Sequence, residues 1–136
     1  MMMKRRTTMI NTTTLYAAIV AAFNEVLPAY FEDADKPADA LYCVINNPVH
    51  SNDIVDRQGD LVFFYVDIFG DDKTINNNAA LQQACDNLRN ALDAEIISAE
   101  GYFGGHLNFE KSVNFDDSSF DINHRRQEWT VRVFYQ

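Results

Sequence analysis

Asp67 is the first residue to test for chemistry. It lies inside Leu61-Val-Phe-Phe-Tyr-Val-Asp-Ile-Phe-Gly70, a run otherwise apolar and rich in β-branched and aromatic residues. A carboxylate in such surroundings is either raised by burial toward general acid–base use, or neutralised by a partner. The sequence leaves both open. The partner would be Arg132 on a neighbouring strand, or an arginine across a subunit interface, and pairing is the reading it favours. Asp116, Asp117 and Asp121, and separately Asp71-Asp72, offer oxygens to a hard cation, but their spacing lacks the glycine and closing glutamate of a calcium loop. They read as turn residues. His50, His106 and His124 share no spacing and read as surface histidines, while Cys43 and Cys85 fit neither zinc spacing nor a disulfide framework. No phosphate-binding loop, G-x-S-x-G elbow or H-E-x-x-H is present, and Gly101, Gly104 and Gly105 lack the strand-then-helix context of a dinucleotide site. The expectation is a protein with no catalytic residue, no metal and no cofactor.

Charge narrows the partners. Twenty acidic and eleven basic residues give −9, and three of the basic ones, Lys4, Arg5 and Arg6, stand in the first eleven residues. The remainder holds eight basic against twenty acidic residues, a net −12. Such a surface repels phosphates rather than gripping them, which argues against direct DNA or RNA binding. Tyr102, Phe103, Phe109, Phe115 and Phe120 lack interleaved basic residues and read as core rather than as a base-stacking platform. No stretch has the ~20 apolar residues of a membrane span. The run Leu15–Phe23 continues with helical period into Val26-Leu27 and reads as a helix rather than a signal peptide. Two unpaired cysteines suit a reducing cytosol.

The elements that would position these residues follow from periodicity. Residues 1–11 read as a flexible tail and 12–136 as one α+β domain. Asn11-Thr12-Thr13-Thr14 supplies capping oxygens for a helix with Leu15, Ile19, Ala22, Phe23, Val26 and Leu27 on one face, ending near Pro28. Tyr30-Phe31 folds back on the core, and Glu32–Asp39 is an acidic loop. Leu41–Ile45 is a first strand that Asn46-Asn47-Pro48 breaks, leaving a long polar loop over 47–58. The aromatic strand 61–70 comes next, apolar on both faces, and needs cover on both. A second helix carries Leu81, Ala84, Cys85, Leu88, Ala91 and Leu92 on one face. From Leu107 the chain alternates, with Leu107, Phe109, Val113 and Phe115 inward and Lys111 as an exception. The last strand, Glu128–Tyr135, sets Trp129, Val131, Val133 and Tyr135 against Thr130, Arg132 and Phe134, after a bulge or loop around His124-Arg125-Arg126. The order α-β-β-α-β-β predicts a single antiparallel four-stranded sheet, made of two hairpins, with both helices on one face.

This arrangement resembles the tail terminator (tail completion) proteins of long-tailed bacteriophages. The resemblance is carried by the opening helix Leu15-Tyr-Ala-Ala-Ile-Val, by Gly59-Asp60 leading into Val66-Asp-Ile-Phe-Gly70, by the helix Ala80–Leu92, and by the closing strand Trp129-Thr-Val-Arg-Val-Phe-Tyr135. It implies a virion assembly protein that forms a homo-oligomeric ring, six subunits being one candidate size. The ring would cap the tail tube protein at the head-proximal end of the tail and join it to the head–tail connector, in particles assembled in the host cytoplasm. DNA would pass through it without specific binding, and no membrane is involved. The family supplies no catalytic residues. Candidate interface residues are Asp56 and Arg57 in the 47–58 loop, Asp67, Arg125, Arg126 and Arg132. The alternative from charge alone is an acidic nucleic-acid mimic that blocks a basic DNA-binding protein. An enzyme would centre on Asp67, or on the 116–121 acids with a divalent metal.

Overall fold

A computed structural model describes residues 12–32, 41–51, 59–70, 78–113 and 124–135. Helix α1 (Thr12–Asn24) buries Leu15, Ile19 and Phe23, one residue per turn, as the periodicity requires. Past Asn24 the last turn closes through bonds from the Val26 and Leu27 amides to the Phe23 carbonyl, and the Asn24 side chain accepts from the Ala29 amide. That contact swings the chain into strand β1 (Ala29–Phe31), which runs parallel to β2 (Tyr42–Ser51). Strand β3 (Gly59–Phe69), helix α2 (Asn78–Leu92), β4 (Ile96–Ile97), β5 (Tyr102–Val113) and β6 (His124–Tyr135) follow. Helix α2 buries Leu81, Ala84, Cys85, Leu88 and Leu92, whereas Ala91 is exposed.

The expected four-stranded antiparallel sheet is not what forms. The strands make one six-stranded mixed sheet in the order β1-β2-β3-β6-β5-β4, curled as a half-barrel, with the two helices. Tyr30-Phe31 does not merely fold back; it is the parallel edge strand, and β4 is a second edge too short to show a period. Asn46-Asn47-Pro48 does not end the first strand. The register with β3 shifts between Asn46 and Val49, with Asn47 at φ 51°, so the break is a bulge inside a strand that continues to Ser51. Nor is there a bulge at His124-Arg125-Arg126. From Phe69↔His124 to Gly59↔Phe134, β3 and β6 pair without a slip.

Two faces result. Toward the helices point Val62, Phe64, Val66 and Ile68 of β3 with Trp129, Val131 and Val133 of β6, all buried. Trp129 is fully buried, edge-on to Phe23 and Phe109 at 5.2 and 5.5 Å. Its indole N–H donates to Gln127 Oε1 at 2.9 Å, and Gln127 donates onward to the Cys85 carbonyl at 3.1 Å, so β6 is tied to α2 through a satisfied buried amide. A second bulge, between Phe109 and Lys111, explains the exception in the alternation of β5. It turns Lys111 and Val113 to the face opposite the helices, where Lys111 pairs with Glu128 at 3.1 Å, so Val113 is not inward as the alternation predicts.

The glycines of β5 have a local cause. Gly104 sits at φ +74°, and a Cβ on Gly105 would lie 2.9 Å from the Ile97 carbonyl oxygen of β4. Gly105→Ala therefore forces β4 off the edge. The expected cost is about 1–3 kcal/mol, read from the denaturant midpoint, with faster amide exchange confined to 94–107. Both thiols are buried, and burial pushes Cys43 up to about 12 and Cys85 up to about 11. A thiol reagent at pH 8 is expected to label them only at the rate of global unfolding, accelerating in denaturant; fast labelling in buffer would contradict the packing.

Candidate functional site

The face turned away from the helices is where the sequence-predicted residues converge. Asp67 is 2% exposed at its centre. Arg126 donates from Nε to Asp67 Oδ1 at 2.7 Å and from Nη2 to Oδ2 at 3.1 Å, a bidentate fork. His124 Nε2 lies 2.8 Å from Oδ1, and the Asn46 amide donates to Oδ2 at 2.5 Å. Three strands thus supply the partners: β2 gives Asn46, β3 the acid, β6 the arginine and histidine.

Burial would raise this carboxyl, but the hydrogen bonds from His124, Arg126 and Asn46, with the Arg126 charge, outweigh it and hold it at about 2. The acid also raises Arg126, by its hydrogen bond first. Asp67 is therefore fixed as an anion, which suits a structural pairing and opposes the reading of a carboxylate raised by burial. Its partner is Arg126. Arg132 stands six residues along β6, exposed, opposite Leu61 on one side and His106 on the other.

Aromatic rings extend the cluster across the sheet. His124 stacks on Phe69 at 4.4 Å, Phe69 on Tyr42 at 5.2 Å, and Tyr42 meets Tyr30 edge-on at 5.9 Å. The Arg126 guanidinium lies 4.4 Å over the Tyr65 ring. Further along the same face the apolar surface is open. Val49 and Phe63, direct partners across β2 and β3, are 59% and 43% exposed. The second apolar face of the aromatic strand is thus half covered by its own polar cluster and half bare.

Arg125 and Arg126 do not act as a pair. Arg126 is engaged by Asp67, and Arg125, on the opposite face by strand alternation, donates to the His124 carbonyl at 3.2 Å. Asp56 and Arg57 lie outside the described residues, as do the 71–72 and 116–121 acids. Among the described residues no group of three or more His, Cys, Asp or Glu side chains is placed to hold a metal ion. No described helix is long and apolar enough to cross a membrane.

One constellation has no sequence signature. Tyr16 of α1, His50 of β2 and Asp60 of β3 form a relay, with Tyr16 Oη 2.6 Å from His50 Nε2 and His50 Nδ1 3.1 Å from Asp60 Oδ2. In the tautomer protonated on Nδ1, His50 donates to Asp60 and accepts from Tyr16. Burial, with the nearby Glu32 and Asp60 charges, raises the Tyr16 hydroxyl, which keeps its proton for the bond to His50. The relay fastens α1 to the β2–β3 pair beside the stacked Phe31. His50 is neither a lone surface residue nor readable as anything else before the strand extends past Pro48.

Among known proteins, no protein-family description matches the chain and no curated sequence does. Solved structures do. The chain is similar to one from the virion of a native gene transfer agent (GTA) particle, with a TM-score of 0.62 and 15% identity, covering 91% of this chain and 96% of that one. A second solved chain is similar at a TM-score of 0.55 and 11% identity, covering 93% and 96%. At these identities the likeness is one of fold.

Proposed function

We propose that this protein is a structural component of a phage-like virion: a tail terminator whose copies close into a ring on the head-proximal end of the tail tube and meet the head–tail connector. One observation carries the reading, namely that its fold accounts for nearly the whole of a chain found in the GTA virion. The half-bare second face of the sheet supports it, because exposed Val49 and Phe63 call for cover by another surface. The acidic balance suits a passage through which DNA slides without adhering. A role without catalysis fits an Asp67 held ionised and saturated with donors, since such a group has no proton to give and no free lone pair toward a substrate. The direct test adds purified protein to growing tail tubes. Tubes capped at one end and arrested in length support the proposal; tubes that elongate unchanged and carry no cap refute it.

A further inference from the structure

Strand β1 is an edge of the sheet, and its outer side presents main-chain groups to a further strand. The Cys43 amide donates to the Pro28 carbonyl at 2.8 Å, and the Glu32 amide donates to the Ile45 carbonyl at 3.2 Å. Alternate residues of a parallel strand turn their N–H and C=O toward the same neighbour. Residues 28, 30 and 32 therefore face β2, while Ala29 and Phe31 face away from it. The Ala29 amide is taken by Asn24 Oδ1. The Ala29 carbonyl and both main-chain groups of Phe31 point past the end of the order β1-β2-β3-β6-β5-β4. Beside this edge runs a groove of about 550 Å³, lined by Ala17, Val20 and Ala21 of α1 and by Ala29 and Phe31 of β1, with Thr13 at its mouth.

We propose that this groove receives an extended segment of the chain itself, residues 4–10, as a strand parallel to β1. Main-chain donors and acceptors at strand spacing select an extended polypeptide over other ligands. Direction selects the segment. Strand β1 runs back along α1, since Ala29 bonds to Asn24 at the end of the helix and Phe31 stacks on Tyr16 near its start at 5.2 Å. A strand leading into Thr12 thus runs parallel to β1 and completes a strand–helix–strand unit, with 12–28 as the crossover. Parallel neighbours need a crossover of about a dozen residues or more. Length agrees: residues 4–10, at about 3.3 Å each, reach about 23 Å, against about 20 Å for the 13 residues of α1. Thr7, Thr8 and Ile10 are β-branched, and Met9 with Ile10 supplies apolar side chains where the groove begins. Lys4-Arg5-Arg6, the only run of three basic residues in the chain, then comes to the far end of α1, where Glu25 is exposed.

Hydrogen exchange and cross-linking of the full chain test it. The Phe31 amide is expected to exchange more than about tenfold slower in wild type than in Met9→Asp/Ile10→Asp. Val131 in the core should be equally protected in both, with Trp129 fluorescence unchanged. Equal exchange of Phe31 in the two proteins overturns the docking. For the cross-link, Ala17→Cys is combined with Met9→Cys or with Ile10→Cys and oxidised in dilute solution, the native cysteines being buried. Alternation along the strand predicts that one of the two combinations closes a disulfide within a single chain and the other does not. Disulfides formed only between chains assign the groove to the segment of a second copy and overturn docking within the chain, as does the absence of a disulfide in both combinations.

Discussion

Asp67→Ala is expected to destabilise the protein by about 3–5 kcal/mol, because it leaves a half-buried guanidinium and an imidazole without the anion that binds them. The loss comes mostly from the stranded Arg126 rather than from the missing contact, which makes a second variant informative. Replacing both members with apolar residues, Asp67→Val with Arg126→Leu, removes the uncompensated charge and is expected to recover most of the loss. A double variant as unstable as Asp67→Ala would mean that Asp67 acts through Asn46 and His124 alone. The pH dependence has a fixed sign. The folded carboxyl is depressed from 3.8 to about 2, so its contribution is fully present above about pH 4 and is lost as pH falls toward 2. Denaturation midpoints of wild type should drop across that window by more than those of the double variant; parallel curves would contradict the depressed carboxyl.

Trp129→Ala is the other large effect. The indole is fully buried between Phe23 and Phe109, and its N–H occupies Gln127. Truncation opens a cavity at the junction of α1, β5 and β6 and leaves a buried amide oxygen without its donor. The expected cost is about 3–5 kcal/mol, which lowers the melting temperature by more than about 10 °C. Trp129→Phe keeps most of the ring volume and isolates the lost hydrogen bond, so it should fall well short of that. As Trp129 is the one tryptophan in the chain, its fluorescence reports this core directly. Equal damage from both substitutions would place the weight on the Trp129–Gln127–Cys85 chain rather than on packing.

How much of this was legible in the sequence depends on the range of the interaction. The faces of α1 and α2 follow from a period that each helix carries within itself, and Leu15, Ile19, Phe23, Leu81 and Leu88 are buried as that period requires. The aromatic strand is legible by composition, but both of its faces read as apolar, and the assembled sheet is what sets Val62, Phe64, Val66 and Ile68 toward the helices. The edges are not legible: β1 and β4 have three and two residues, too few for any period. At 46–48 and 110 a bulge mimicked a strand end or a flaw in alternation, since one inserted residue reverses the facing of all that follow. The sequence does not reveal the Asp67 partner for a related reason. β3 and β6 are joined by no turn, and nothing local sets their register, so Arg126 opposite Asp67 is a fact of the assembled sheet. His50 and Asp60 escape a sequence reading for the same reason, because a strand that stops at Ile45 cannot bring His50 to Tyr16.

Assembly into a ring is tested by light scattering behind a sizing column, over a wide range of protein concentration at low and moderate salt, with negative-stain imaging of any large species. Closed rings with a central hole and a single dominant subunit number are the expected result. A protein that remains monomeric under every condition, and also when tail tubes are supplied, would contradict it, and would turn attention to the acidic surface as a mimic captured by a basic partner.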